Sequence, residues 1–396
     1  MRILHVSSLY KPDIVGGAEV LVEQLGQELR QRGHEVAVAC LSRERTPAGD
    51  QDGIRVYRLG SGPVFFPMDW GKASKPARLA YKVTTLAGTR VLDGLDAAIA
   101  DFRPDVVNTH SLAELSPMVW AVAAKRGIPI VHTLHDFAGL CTNSAMFRDG
   151  RACEGQHAKC KAWGTLHRWQ SAKVDAVIGV GRDILARHSS AGHFANVRKD
   201  MVRVIWNPIS PPEAMAPRRD VVEPVVFGYL GRIEASKGAD LLLEACRMAP
   251  ADGWRLVMAG KAVDGDAPYR AAAEGLPVTF AGFVDRERFF EEIDCLVAPP
   301  LWPEAFGRTV AEALVRGVPV VGADIAGVKE QVEAFGVGWL FKTGDARDLS
   351  QRMREIVANP KRLKMGASQI SKFTDLVSPV SIAAQYDSLY EALLRG

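Results

Sequence analysis

The chain has no uninterrupted apolar run approaching the ~18 residues that a membrane span requires. It shows no secretory leader: the strand-like run Arg2-Ile3-Leu4-His5-Val6 follows Met1 directly, and a cytoplasmic, reducing setting is the expectation. It carries little net charge, +3 over 396 residues, which gives no argument for a nucleic-acid partner. No repeat at the usual spacing of about 20–50 residues and no low-complexity tract stands out. No G-x-G-x-x-G follows the first strand, and Gly179-Val180-Gly181 has no third glycine at the required place, which argues against a dinucleotide dehydrogenase. Cysteine is sparse, with six in the chain. Cys40, Cys246 and Cys295 fall in apolar patterns and read as small core residues.

What is present describes a globular protein of more than one core. Hydrophobic residues make up 47% and charged residues 24%. Single cores stop growing near roughly 250–300 residues, so two domains are expected. The first forty residues read as a βαβ unit. Strand Ile3–Ser7 leads through Gly16-Gly17-Ala18-Glu19 into a helix with Val20, Leu21, Leu25 and Leu29 on one face. Gly33 ends that helix, and strand Val36–Cys40 follows. Further strands are expected at Pro104–Thr109, Ile128–Thr133, Asp175–Val180 and Val202–Trp206. The alternation then restarts, with strands at Val225–Leu230, Trp254–Ala259, Val278–Phe283, Cys295–Ala298, Val318–Gly322 and Gly338–Phe341. Strands alternating with helices imply α/β architecture, here two Rossmann-like doubly wound domains. The proline-rich stretch Asn207–Pro224 has a linker's composition and sets the boundary. Residues 1–208 then form one domain and 209–377 the other. Ligands of open α/β sheets sit at the carboxyl ends of strands, so a central cleft is the expected site.

Two segments carry chemistry. Gly231-Arg232-Ile233-Glu234-Ala235-Ser236-Lys237-Gly238 follows a strand and precedes helix Ala239–Met248. Arginine offers a planar fork to phosphate oxygens and lysine a point charge, which suits a diphosphate near a helix N-terminus. A solvated loop with two surface cations fits the same residues. The second segment, Glu304-Ala305-Phe306-Gly307-Arg308-Thr309-Val310-Ala311-Glu312, enters a helix through Gly307. Its first turn leaves backbone N–H groups for phosphate. The ionised carboxylates Glu304 and Glu312 only accept hydrogen bonds, which suits sugar hydroxyls.

Together these segments resemble family 4 of the retaining glycosyltransferases (glycosyl transferases group 1), which have the GT-B fold. Glu304 and Glu312 match the family's pair of glutamates separated by seven residues. Gly231, Arg232, Lys237 and Gly238 match its Gly-Arg…Lys-Gly element. Ala326-Gly327-Val328-Lys329-Glu330 is similar to its Gly-Gly-x-x-Glu turn, with alanine in place of the first glycine, and Gly16-Gly17-Ala18-Glu19 looks like its N-terminal glycine loop. The resemblance implies that Arg232 and Lys237 hold the diphosphate of a nucleotide sugar and stabilise the leaving group. Glu304 would bind hydroxyls of the transferred sugar and Glu312 the ribose. Phe306, Gly307, Arg308, Thr309 and Val310 would line the phosphate side, Phe283 and Val284 the base, and Gly16 and Gly17 would allow close approach to the diphosphate. No cofactor or metal is implied beyond a UDP- or GDP-linked sugar. The acceptor would be a glycan, a lipid-linked or a small molecule, in the assembly of a bacterial cell-surface polysaccharide. Another GT-B enzyme, such as an epimerase or a phosphorylase, and a non-catalytic sugar-nucleotide binder are the alternatives. The last helix, about residues 378–396, would cross back to the first domain.

Several features concern the acceptor side. His135 ends a strand and is followed by Asp136; the resemblance places such a histidine near the reacting sugar, as a catalytic group that polarises a donor hydroxyl or assists the acceptor, while a strand-end histidine capping backbone fits the same position. His110 ends its strand likewise. Cys141, Cys153, His157 and Cys160 fall in one loop-rich segment with four candidate zinc ligands, but without the usual C-x2-C hairpin they also read as ordinary thiols. Asp264-Gly265-Asp266 spells the Asp-x-Asp of metal-dependent transferases of another fold and reads as a turn. From Pro63 to Arg90, Phe65, Phe66 and Trp70 precede Lys72, Lys75, Arg78, Lys82 and Arg90. That pattern fits either an anionic membrane surface, at the inner face of the cytoplasmic membrane, or a solvated basic helix over buried aromatics.

Overall fold

The computed structural model describes residues 1–14, 16–60, 64–212, 218, 221, 223–250, 252–262 and 265–395. The chain divides into two compact units. The first comprises Met1–Ala145, Gly155–Pro208 and Pro379–Gly396, and the second Met146–Glu154 and Ile209–Ser378. Among the described residues no helix is long and apolar enough to cross a membrane.

The first unit is built on an eight-stranded sheet. Its strands are β1 (Arg2–Ser7), β2 (Glu35–Cys40), β3 (Arg45–Gln51), β4 (Ile54–Leu59), β5 (Val106–His110) and β6 (Ile130–Leu134). The short strands β7 (Phe147–Arg148) and β8 (Arg151–Ala152) form a hairpin of the second unit, and β9 (Ala176–Gly179) and β10 (Val202–Val204) complete the sheet. The order is β10-β9-β6-β5-β1-β2-β4-β3, parallel except where β3 runs antiparallel to β4. Ile3, Leu4 and Val6 are fully buried, because a parallel strand covered on both faces has no solvent side. Helix Gly17–Gln31 turns Leu21, Val22, Leu25 and Leu29 inward. The C-terminal helix Pro379–Leu394 packs on it and buries Ile382, Tyr386, Leu389 and Tyr390 in the same core. Full burial of such side chains stabilises by roughly 1.5–3 kcal/mol each. Inside that core the Tyr390 hydroxyl accepts from Asn108 Nδ2 at 2.7 Å.

The second unit holds a six-stranded sheet, every pair parallel. Its strands are β11 (Val225–Leu230), β12 (Trp254–Ala259), β13 (Val278–Gly282), β14 (Cys295–Ala298), β15 (Val320–Ala323) and β16 (Trp339–Phe341), in the order β13-β12-β11-β14-β15-β16. Phe227, Leu242, Trp254, Met258, Val297 and Met353 centre its core.

Three differences from the sequence reading stand out. Strands β3 and β4 were not expected: β3 is a solvent-exposed edge carrying Pro47 and Gly49, so it shows neither an apolar run nor alternation. The division departs from a single cut after residue 208, because Met146–Glu154 counts with the second unit. Several expected strand ends shift by one or two residues; Phe283, for example, falls just past β13.

Both sheets have a switch point where neighbouring connections diverge. In the first it lies between β1 and β5, in the second between β11 and β14. Ligands of doubly wound sheets bind at the strand carboxyl ends beside such points. The ends of those four strands and the loops leaving them carry Gly16, His110 with Ser111, Arg232 with Lys237, and Glu304 with Gly307.

Candidate active site

In the second unit, the loop after β11 is shaped by close backbone approaches. Gly231 N–H donates to Ala259 O at 3.0 Å, and a Cβ on Gly260 would stand 1.8 Å from Gly231 O. The Tyr229 hydroxyl donates to Arg232 O at 2.6 Å, fixing the turn that projects the arginine. Arg232 is mostly exposed and pairs with Glu234 at 3.1 Å. Gly238 adopts φ 74° and packs so tightly on the loop after β14 that a Cβ would lie 1.9 Å from Pro299 O. Leu301 N–H donates to Ser236 O at 2.9 Å, joining the two loops.

That junction brings the sequence-predicted groups together. Lys237 Nζ makes an ion pair with Glu304 Oε1, and sits 4.7 Å from the centroid of the Trp302 ring. Gly307, at φ 79°, opens helix Arg308–Leu314. The turn at Ala326-Gly327 braces this entry. Gly327 N–H donates to Glu304 O at 2.9 Å, and Gln331 Nε2 donates to Phe306 O. A Cβ on Gly327 would lie 2.5 Å from Phe306 O, so the second position of the turn demands glycine. Ala326 holds a left-handed φ of 42°, a conformation that costs a non-glycine residue roughly 1–2 kcal/mol. The glycine of the family's pattern is thereby explained by backbone geometry.

Glu312 is buried, with 6% of its side chain exposed, and accepts at Oε1 from Arg286 at 2.5 Å and Arg308 at 2.9 Å. Phe283 is 87% exposed at the end of β13. Two expected contacts need correction. Val310 N–H bonds back to Gly307 O at 3.0 Å and its side chain is in the core, so the amides of Arg308 and Thr309 are the first-turn donors left for an anion. The Phe306 ring is buried too, leaving its backbone to shape the loop.

In the first unit, Gly16 N–H donates to the Glu19 carboxylate at 2.8 Å, capping helix Gly17–Gln31. Gly16 has an extended backbone, and a Cβ there would meet only Glu19 Oε2 at 3.6 Å, so the fold itself does not require glycine. His110 is fully buried and does not face an acceptor; it bridges His5 and His135 through its two ring nitrogens at 2.9 and 3.2 Å. Asp136 accepts from Ser111 Oγ and from Ala138 N–H at 2.7 Å, which shapes the local turn, and burial raises its pKa. Desolvation lowers His135 from 6.5 to about 3, so it is a neutral imidazole at pH 7. His135 and Asp136 line a cavity of about 20 Å³ with His132, His167, His188 and His193, enough for one water.

The other expectations are placed as follows. No group of three His, Cys, Asp or Glu side chains among the described residues could hold a metal ion. Cys141, Cys153, His157 and Cys160 therefore do not form such a group; Cys141 is buried, and Cys153 and Cys160 are half-buried free thiols. Asp264 lies outside the described residues, and Asp266 pairs with Arg270 at 2.6 Å. Pro63 also lies outside them. Phe66 is buried, and Phe65 and Trp70 form an aromatic cluster with Tyr81. Arg78 and Lys82 are held by backbone carbonyls. Met68, Leu79 and Val83 stay exposed, as do Lys72, Lys75 and Arg90. Residues missed from sequence are Trp302, Arg286 and His5; only contacts between distant segments reveal them.

This architecture of two Rossmann-like units, with paired cations and carboxylates on the second, is the GT-B fold. Sucrose-phosphate synthase from Thermosynechococcus elongatus superposes with a TM-score of 0.75 at 19% identity, covering 100% of both chains. Anabaena HepE in complex with UDP superposes with a TM-score of 0.71 at 19% identity, over 99% of this chain and 100% of that one. In sequence, residues 16–220 match the glycosyl transferase 4-like domain and residues 212–372 the glycosyl transferases group 1 family. The chain belongs to this glycosyltransferase family. It is 28% identical to the 2-deoxystreptamine N-acetyl-D-glucosaminyltransferase of Streptomyces fradiae, over 88% of this chain and 84% of that protein. It is 26% identical to a 42.6 kDa protein in the cps region of Klebsiella pneumoniae, over 83% and 87%. It is also 26% identical to the GDP-mannose-dependent alpha-mannosyltransferase of Mycobacterium tuberculosis, over 91% and 88%.

Proposed function

We propose that the protein transfers a sugar, with retention of anomeric configuration, from a UDP- or GDP-linked donor to a glycan, lipid-linked or small-molecule acceptor in cell-surface polysaccharide assembly. The observation that carries this reading is the Lys237–Glu304 pair beside the glycine-opened helix Arg308–Leu314. It sets a cation for diphosphate next to an acceptor for sugar hydroxyls. As the bond from the anomeric carbon to phosphate breaks, negative charge grows on the leaving diphosphate. Arg232 and Lys237 gain more attraction then than in the ground state, which is what lowers the barrier. Their two charges supply this without a metal. The Arg308 and Thr309 amides add backbone donors. Both arginine contacts of Glu312 use Oε1, so Oε2 serves the ribose. The exposed Phe283 ring offers a face to the base. Gly16 leaves room that its own surroundings do not need, which favours close approach of the diphosphate. His135, neutral and just past β6, contacts the reacting sugar; the acceptor hydroxyl attacks from the face the diphosphate leaves and passes its proton to the departing phosphate oxygen.

The acceptor side works at the inner face of the cytoplasmic membrane. Leu79 and Val83, one turn apart on helix Lys75–Ala87, would enter an anionic interface with Met68, and Lys72, Lys75 and Arg90 would meet headgroups at ~1 kcal/mol each. Flotation with anionic vesicles tests this; binding that does not weaken from low to high salt, or on Leu79→Asp, defeats it.

A thermal-shift screen against UDP, GDP, ADP and their sugars tests the donor reading, because a ligand of the native state raises the melting temperature by mass action. The expected result is a shift with one nucleotide that is lost in Arg232→Ala. Transfer or donor hydrolysis undiminished in Arg232→Ala and Glu304→Ala overturns the site.

A further inference from the structure

Three imidazoles from three strands form one hydrogen-bonded file inside the first unit. His5 lies within β1, His110 ends β5, and His135 follows β6 directly. His5 Nδ1 is 2.9 Å from His110 Nε2, and His110 Nδ1 is 3.2 Å from His135 Nε2. The sheet register makes this possible, since His5 pairs with Asn108 on β5 and His110 with Thr133 on β6. His5 Nε2 is buried without a hydrogen-bond partner.

Each neutral ring has one N–H and one lone pair, so the file runs in one of two directions. If the protons run inward, His135 Nε2–H donates to His110, His110 Nε2–H donates to His5, and His5 holds its proton on Nε2. That leaves a buried N–H with no acceptor. If they run outward, His5 Nδ1–H donates to His110 and His110 Nδ1–H donates to His135. The unpartnered atom is then a lone pair, and the structure avoids an orphaned buried donor, which is the rarer defect in native proteins. Burial keeps all three rings neutral, so no second proton blurs the choice.

We infer that His5 and His110 are positioning residues that lock His135 as the Nδ1–H tautomer, so that His135 meets the sugar as a hydrogen-bond donor and not as a base. The inference rests on the proposed contact of His135 with the sugar. Its Nε2 is engaged by His110 and cannot accept a proton from the acceptor, and its Nδ1 already carries one. The interior end of the file is closed at His5, so the file orients a proton and does not conduct one.

The test uses the full-length, uniformly 15N-labelled protein and two variants of His5. Side-chain 15N correlation spectra of wild type should show His135 with a pyrrole-type Nδ1 and a pyridine-type Nε2. The reverse pattern overturns the inference. His5→Leu removes the first donor. It should turn His135 into a mixture of tautomers and lower kcat about tenfold, the usual scale for an orienting partner, with donor KM within about twofold. His5→Asn puts an amide N–H near the place of Nδ1–H and should restore the single tautomer and most of kcat. If the two variants behave alike in the spectra, the file does not set the tautomer. Melting curves show whether His5→Leu is folded; if it is not, the wild-type and His5→Asn spectra still decide. Full activity of His135→Ala would sink the catalytic reading of that ring, while the tautomer result would stand on its own.

Discussion

Lys237 and Glu304, brought together from the loops after β11 and β14, satisfy each other's charge at the point where donor chemistry is proposed. Each is therefore the other's substitute for a ligand group. Lys237→Ala and Glu304→Ala are expected to lower kcat/KM by about 10²–10³ each, the usual scale for groups that act on developing charge. The double variant should lose far less than the product of the two, because the groups act as a unit. Steady-state kinetics on the four proteins checks this; strict multiplicativity would mean that the two work independently.

Glu312 calls for a different comparison. It is a buried carboxylate facing two arginines, and Arg308 Nη1 is itself buried without a partner. Removing one member of a buried pair leaves an uncompensated charge, at about 3–5 kcal/mol. Arg286 is largely exposed and relieves part of this. Glu312→Ala should therefore lose about 2–3 kcal/mol of stability in urea melts, and Glu312→Gln, which keeps an acceptor for the guanidinium groups, about half as much. Equal melts for wild type and Glu312→Ala would show that the pairing is incidental.

The glycine turns make opposite predictions. Gly238→Ala drives a Cβ into Pro299 O and should destabilise the second unit and abolish donor binding. Ala326→Gly releases a left-handed alanine and should stabilise by about 0.5–1 kcal/mol, after allowing for the freer unfolded chain. Thermal melts with and without nucleotide read both; a less stable Ala326→Gly would refute the strain argument.

Acid should unfold the first unit early. Burial lowers His167 and His188 from 6.5 to about 4, and His5, His135 and His193 to about 3. Below pH 6.5 the unfolded chain binds protons that the folded one refuses until pH 4 or lower. Stability therefore falls as pH drops through this window, by up to about 1.4 kcal/mol per pH unit for each such histidine. Above pH 6.5 these groups add no pH dependence. Urea midpoints at pH 7.5, 6 and 5 should decline progressively, and a flat profile would mean that the rings are charged in the native state.

The parts of the fold that could be read from sequence were those whose physics is local. Strands buried on both faces, such as Val225–Leu230 and Cys295–Ala298, spell unbroken apolar runs. Gly231 to Gly238 announces a turn and its cations within eight residues. Strand β3 gave no such sign, because an exposed edge needs no apolar residues. In the candidate site, Glu304 and Lys237 were legible one by one, but their pairing was not. Nor were Trp302 beneath the ammonium or Arg286 on Glu312, since nothing in the spacing of residues says which loops the sheet order makes neighbours. His110 was assigned to the acceptor side from its place at a strand end; strand order and register instead bury it between two other rings.

The C-terminal helix Pro379–Leu394 has a consequence for biosynthesis. Its Tyr386 and Tyr390 fill the core of the unit that begins at Met1, and the Tyr390 hydroxyl satisfies Asn108. As the chain leaves the ribosome, this unit cannot close its core until Pro379–Leu394 has emerged, behind the whole of Ile209–Ser378. The second unit, apart from the β7–β8 segment, is continuous from Ile209 to Ser378 and can finish folding while the first still waits.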